Sequence, residues 1–433
     1  MKIVHIIPGS GGTFYCQNCM RDNQLIVALR ASGHDVIMVP MYLPLNVDVH
    51  GLMGDTPVFY GAVNTYLKEK LPIYRHAPVW LERLFDSPFL LRMAAKKAGS
   101  TRASGLEEMT LSMLRGEHGR QATELEHLIH YLKTHVQPDI VHLSNALLLG
   151  LAHRIKRDLG AAVVCSLQDE HEWIDPMRPS YRQQVWDLMA ERSSDVDAFI
   201  AAGRFYAEKS IAEMRLPKEK VHVVYGGVEL SGYQRSPLPL DPPVIGYLCR
   251  MSEYFGLGVV VDGFIKLKTD YGFPHAKLKL TGGYTGDDEL FVKKMLKKIS
   301  ADGFAQDVEV IESFDKAHRV EFLKSLTLLS VPVLSGEAFG AYQVEALAAG
   351  VPIVQPNVGG YPEFIAMTGG GVIYEPNDGD HWAAAAAALL NDPQNLRDMG
   401  ERGGAAVVEK FSMARMAQEI LGVYNRVFSK TIS

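Results

Sequence analysis

Short apolar, β-rich runs alternate with stretches of helical period along the whole chain. In the first half they predict strands at residues 3–7, 35–39, 140–142, 162–166, 198–201 and 221–224. In the second half the pattern restarts at 244–248, 277–281, 308–311, 328–331 and 352–354. Strands and helices alternating in this way argue for parallel sheets covered by helices, an α/β architecture. Between the halves runs Ser236-Pro237-Leu238-Pro239-Leu240-Asp241-Pro242-Pro243, too rich in proline to continue either element, which reads as a linker. The expected division is an N-terminal Rossmann-like domain over 1–230, with a helical insertion at about 55–125, and a linker over 231–242. A second Rossmann-like domain follows over 243–410, and a closing helical segment over 411–433. A chain of 433 residues exceeds what one core holds, in agreement with two domains. In doubly wound domains ligands collect at the C-terminal ends of the strands.

One segment concentrates polar chemistry at such a place: Ser335-Gly336-Glu337-Ala338-Phe339-Gly340-Ala341-Tyr342-Gln343-Val344-Glu345-Ala346-Leu347-Ala348-Ala349-Gly350-Val351-Pro352. Gly340 ends a loop, a helix-forming run follows, and Gly350 suits its C-terminal cap. Free amide groups and a positive dipole end at the helix start suit a phosphate. Glu337 and Glu345 would repel that phosphate, so they are better suited to accept hydrogen bonds from hydroxyls. Phosphate and hydroxyls together describe a nucleotide sugar.

The spacing of the two glutamates, with the Gly359-Gly360-Tyr361-Pro362-Glu363 continuation, resembles the E-x7-E motif of the group 1 (family 4) retaining glycosyltransferases. That resemblance covers most of the chain and implies the GT-B fold. Two doubly wound domains would face each other across a cleft, and the last helix would pack back on the N-terminal domain. It also implies a nucleoside diphosphate sugar donor, an acceptor hydroxyl, retention of configuration, and neither cofactor nor metal. By analogy Glu345 would bind the ribose and Glu337 the transferred sugar. Phe339, Gly340 and Ala341 would supply amides to sugar and phosphate, and Gly282 would lie on the nucleotide side. Arg250, ending a strand, would grip the diphosphate. Gly11 and Gly12, in the glycine-rich turn after the first strand, would approach the same phosphates. His142 and Asp169, at strand ends, would contact the reacting sugar or acceptor; Gln168-Asp169 stands where the family carries a His-Asp pair. The largest departure is Phe255, at the place of a family lysine five residues beyond the arginine. A missing charge-assisted contact is worth about 1.5–3 kcal/mol, and Arg21 is the candidate to compensate.

Composition narrows the alternatives. A net charge of −6 offers no basic footprint for nucleic acid. Met1 runs straight into an apolar strand, so no signal peptide is expected, and four cysteines in a chain of this size suit a reducing cytoplasm. Cys16-Gln17-Asn18-Cys19 is read as two half-buried thiols rather than a metal or redox centre, since no second C-x-x-C exists. Asp195-Val196-Asp197 resembles a metal-binding D-x-D but precedes a core strand and is read as a cap or a solvated stretch. Residues 79–102 mix Trp80, Leu81, Leu84 and Phe85 with Arg83, Arg92 and Lys96; such a stretch suits a lid, or peripheral contact with a membrane or lipid acceptor. The acceptor class stays open among saccharide, lipid and small molecule. Two competing functions are a sugar-nucleotide epimerase of the same fold and a non-catalytic nucleotide-sugar-binding protein.

Overall fold

The computed structural model describes residues 1–8, 14–42, 59 and 105–432. Most of the insertion, including residues 79–102, and the glycines Gly11 and Gly12 lie outside the described residues. The chain forms two compact units. The first comprises Met1–Gly12, Asn18–Tyr225 and Met416–Ser433, the second Thr13–Gln17 and Gly226–Arg415.

In the first unit six parallel strands lie in the order β2-β1-β3-β4-β5-β6. They are β1 (Lys2–Ile7), β2 (Asp35–Pro40), β3 (Ile140–Leu143), β4 (Ala162–Leu167), β5 (Ala198–Ala201) and β6 (Val221–Val223). Every residue of β3 and β4 is buried, as a central strand with helices on both faces requires. The order reverses between β1 and β3, a topological switch point. There the register sets His5 opposite His142. The closing helix, Met413–Ile432, belongs to this unit from Met416 onward and buries Ile420, Val423, Tyr424 and Val427. It packs back on the N-terminal domain, as expected.

In the second unit the order is β12-β11-β10-β7-β8-β9, again wholly parallel. The strands are β7 (Val244–Leu248), β8 (Lys277–Thr281), β9 (Val308–Ile311), β10 (Leu328–Leu329), β11 (Ile353–Pro356) and β12 (Gly371–Tyr374). The switch point falls between β7 and β10, so the residues that leave those two strands meet at one crevice. β7 exits into Arg250; β10 exits into the loop that carries Glu337 and ends at Gly340. β12 was not expected from the sequence: three of its four residues are only half-buried, so no sustained apolar run announces it. The alanine run 383–388 sits inside the helix Gly379–Leu390, which starts where Asp378 accepts a hydrogen bond from the His381 amide at 2.9 Å.

Candidate functional site

The candidate site of the second unit grows from the helix Ala341–Ala348 and the loop before it. Gly340 caps that helix with φ +77°, and a Cβ there would lie 2.6 Å from Gln343 Nε2 and 3.0 Å from Glu337 Oε1. Glycine is therefore required both by conformation and by space. Glu337, in the loop, and Glu345, in the helix, are each almost without solvent exposure.

Both carboxylates are satisfied by protein donors. Glu345 Oε1 accepts from Arg319 Nε at 3.1 Å and the Tyr233 hydroxyl at 2.7 Å, and its Oε2 accepts from the Tyr15 hydroxyl at 3.1 Å. Glu337 accepts from the hydroxyls of Tyr342 and Tyr361, the latter at 3.1 Å, and from the side-chain amide of Gln17. Burial, then the adjacent carboxylates, push the Tyr15, Tyr233 and Tyr342 phenols above their ordinary range. They stay protonated and act as donors. Burial works against the charge of Arg319, but Glu345 and the surrounding tyrosines outweigh it and raise its pKa.

Arg250 donates from Nε to Asp288 at 2.8 Å and from Nη2 to Thr285 Oγ1 at 3.2 Å. Burial opposes ionisation of Asp288, yet the hydrogen bonds from Arg250 and Thr285 hold its carboxyl below the usual range. The guanidinium is thus oriented as a fixed positive group beside the switch point. Gly282 adopts φ +116°, and a Cβ there would stand 2.3 Å from the carbonyl oxygen of Cys249. Phe339 contributes its backbone to the turn, while its ring packs against Phe364 and Phe411 with centroids 6.0 and 5.8 Å apart. Phe255 offers no charge; its carbonyl accepts from the Tyr247 hydroxyl at 3.1 Å.

The first unit holds a separate polar cluster at its own switch point. His142 is fully buried, with Nδ1 2.5 Å from the Tyr424 hydroxyl and Nε2 2.8 Å from Ser166 Oγ. Its ring lies 4.5 Å from that of His5. Burial, followed by His5 and Arg21, lowers its pKa well below 6.5, so the imidazole is neutral. Arg21 is buried here too, its Nη2 shared between Asp22 at 3.0 Å and the side-chain oxygen of Gln168. Asp169 occupies the left-handed region at φ 59° and ψ 28° directly after β4, an uncommon place for a non-glycine residue. Glu170 holds that turn by accepting from the amides of Ala146 and Gln168, at 2.8 and 3.0 Å, and from the Tyr206 hydroxyl at 2.7 Å.

Sequence reasoning missed Arg319, Tyr233, Tyr15 and Gln17 around the two glutamates. Only Tyr342, inside the motif itself, carried a local signal. The cysteines also differ from expectation. Cys16 and Cys19 are both disulfide-bonded, whereas Cys165 and Cys249 are free and buried. With four cysteines in the chain, the bond joins Cys16 to Cys19. The C-x-x-C spacing at a helix start brings the two sulfurs together, so they are not the pair of thiols the sequence suggested. Asp197 accepts from the Val163 amide at 2.9 Å, the structural role expected for its D-x-D stretch. Among the described residues, no helix is long and apolar enough to cross a membrane.

The same architecture recurs in solved structures. Sucrose-phosphate synthase from Thermosynechococcus elongatus superposes with a TM-score of 0.69, covering 99% of this chain and 99% of that one at 16% identity. Anabaena HepE, in complex with UDP and glucose, gives 0.67 over 98% and 99% of the two chains, also at 16% identity. Together with the two parallel sheets, these likenesses define the class as GT-B, a two-domain glycosyltransferase architecture. The sequence profile of glycosyl transferases group 1 matches residues 233–405, and that of glycosyltransferase family 4 matches residues 108–231. The chain belongs to the group 1 glycosyltransferases. Among curated relatives, the D-inositol 3-phosphate glycosyltransferase of Mycolicibacterium paratuberculosis is 25% identical over 58% of this chain and 56% of its own length. That of Segniliparus rotundus is 28% identical over 48% and 47%. The alpha-maltose-1-phosphate synthase of Mycolicibacterium smegmatis is 26% identical over 59% and 71%. The chain thus spans about half the length of the first two relatives.

Proposed function

We propose that this chain transfers a sugar, with retention of configuration, from a nucleoside diphosphate donor to an acceptor hydroxyl. The observation that carries the reading is a pair of buried glutamates at the glycine-led helix Ala341–Ala348, Glu337 in the loop before it and Glu345 within it, beyond the switch point of the second sheet. Glu345 is assigned to the ribose hydroxyls and Glu337 to the hydroxyls of the transferred sugar. The amides of Gly340 and Ala341 would meet phosphate, with the Phe339 backbone shaping the turn and Gly282 giving close access to the nucleotide. Arg250, already aimed by Asp288 and Thr285, would stabilise charge on the departing diphosphate. That arginine and the helix N-terminus supply a positive field, so the mechanism is written without a metal. Gly11 and Gly12 are assigned to the same phosphates.

In the first unit Asp169 and His142 are assigned to the acceptor. A neutral His142 with both ring nitrogens engaged can hold a neighbour in place but is a poor proton carrier. The proton of the attacking hydroxyl is therefore assigned to the leaving phosphate, on the face from which the donor departs. UDP-glucose is the first donor to try, because Anabaena HepE is described with UDP and glucose. A phosphorylated polyol is the first acceptor, from the names of the mycobacterial relatives. The test is incubation with a panel of labelled nucleotide sugars, with and without acceptors, reading transfer or slow hydrolysis and the anomeric configuration by NMR. No turnover combined with no nucleotide binding overturns the assignment; an inverted product overturns retention.

A second reading, a nucleotide-sugar-binding protein without turnover, is favoured by Phe255 at the place of the family lysine. Tight binding by calorimetry with no product would select it.

A further inference from the structure

Residues 14–17, counted within the second unit, stand on five of the groups assigned above to the donor. The Tyr15 hydroxyl donates to Glu345 at 3.1 Å, and the Tyr15 amide donates to the carbonyl of Gly282 at 2.7 Å. Phe14 pairs with Gly283 in an isolated antiparallel bridge, and the guanidinium carbon of Arg250 lies 5.3 Å from its ring centre. The side-chain oxygen of Gln17 accepts from the Ala341 amide at 2.7 Å, while its nitrogen donates to Glu337.

The chemistry of three of these contacts is that of the proposed ligand, and a fourth covers the arginine where its diphosphate would lie. A hydroxyl rests on the carboxylate assigned to ribose, and an amide donor rests on the one assigned to the sugar. An oxygen acceptor takes the helix N-terminal amide assigned to phosphate, and an aromatic face covers the arginine assigned to the diphosphate. Cys16 lies between Tyr15 and Gln17, and its disulfide to Cys19 closes a short ring that contains Gln17. Gln17 is also the first residue of the helix Gln17–Ala31, so its backbone is restrained from both directions.

We propose that residues 14–17 are an internal stand-in for the nucleotide sugar, seated in the donor site until displaced, and that the Cys16–Cys19 disulfide keeps them seated. This rests on the donor reading given above. Reduction by a dithiol proceeds through a mixed disulfide: the reductant is oxidised to its own disulfide, and two electrons and two protons leave Cys16 and Cys19 as thiols. Freed from the ring, Gln17 gains conformations that do not reach Glu337 and Ala341, so the seated state loses weight. Apparent donor affinity scales with the fraction of molecules whose site is open, so a segment seated nine-tenths of the time weakens binding about tenfold.

The test is calorimetric titration of UDP into the full chain, oxidised and after dithiol treatment with thiols counted, and into Cys16→Ser/Cys19→Ser and Tyr15→Phe/Gln17→Ala. The reduced protein and the cysteine variant are expected to bind UDP about tenfold more tightly than the oxidised protein, with the variant indifferent to reductant. The Tyr15→Phe/Gln17→Ala protein is expected to gain similarly while still oxidised. Equal affinity in both redox states overturns the disulfide's part, and weaker binding by Tyr15→Phe/Gln17→Ala overturns the stand-in, making the segment part of the donor site. No UDP binding by any form, in any redox state, overturns the donor reading itself.

Discussion

Replacing Arg319 by methionine tests the arrangement behind the second glutamate. Arg319 and Glu345 are both 2% exposed at their side chains and 3.1 Å apart. Arg319 also donates from Nη1 to the Phe314 carbonyl at 2.7 Å and lies 5.6 Å from the centre of the Tyr15 ring. Methionine keeps much of the volume but leaves a buried carboxylate facing two phenols and no cation. Removing one partner of such a pair costs about 3–5 kcal/mol, because the remaining charge is neither solvated nor neutralised. Each 1.4 kcal/mol is roughly tenfold in an equilibrium constant, so the unit should open at least a hundred times more often. Hydrogen exchange on peptides from the helix Ala341–Ala348, followed through urea unfolding, reads that opening locally. Two comparisons sharpen it. Arg319→Met/Glu345→Gln removes both charges and should recover a large part of the loss. Lys293→Met breaks an exposed pair with Glu289, whose side chains are 67% and 48% accessible, and should leave the unfolding midpoint unmoved. If Arg319→Met is as mild as Lys293→Met, Glu345 is not held by a buried charge pair and the reasoning fails.

Gly340→Ala should cut sugar transfer or donor hydrolysis sharply with little loss of far-UV circular dichroism, since a Cβ at φ +77° costs about 1–2 kcal/mol and crowds Glu337. Phe255→Lys restores the charge the family places there; a contact worth about 1.5–3 kcal/mol should raise donor turnover roughly ten- to hundredfold, measured as kcat/KM. His142→Gln addresses pH. The folded protein keeps this imidazole neutral well below 6.5, while the unfolded chain protonates it near 6.5. The unfolded state therefore binds the extra proton, and wild-type stability is present above pH 6.5 and is lost as pH falls through the lowered value. Tm measured downward from neutral pH should fall less steeply in His142→Gln than in wild type; parallel slopes would refute it.

The alternation of apolar runs and helical stretches was sufficient for the architecture because parallel strands buried on both faces must be continuously apolar. β3 and β4 were legible for that reason. β12 was not, because three of its four residues are half-exposed at the sheet edge. The glutamate motif was legible because a loop, a glycine and a helix in sequence encode a helix N-terminus locally.

What satisfies the motif was not written locally. Tyr15 reaches Glu345 across 330 positions, and Gln17 reaches Glu337 across 320. Neither residue has a periodicity or spacing that announces the contact. Arg319 is 26 positions from Glu345 and reads, in sequence, as an ordinary helical cation. By itself the chain order determined two doubly wound sheets and a glycine-led helix with one acid in the loop before it and one within it, since these follow from burial patterns and backbone conformation within a few residues. Only tertiary structure decided which donors meet those acids and that His142 is locked and neutral. Those outcomes depend on desolvation and on distances across elements, which no short stretch of sequence specifies.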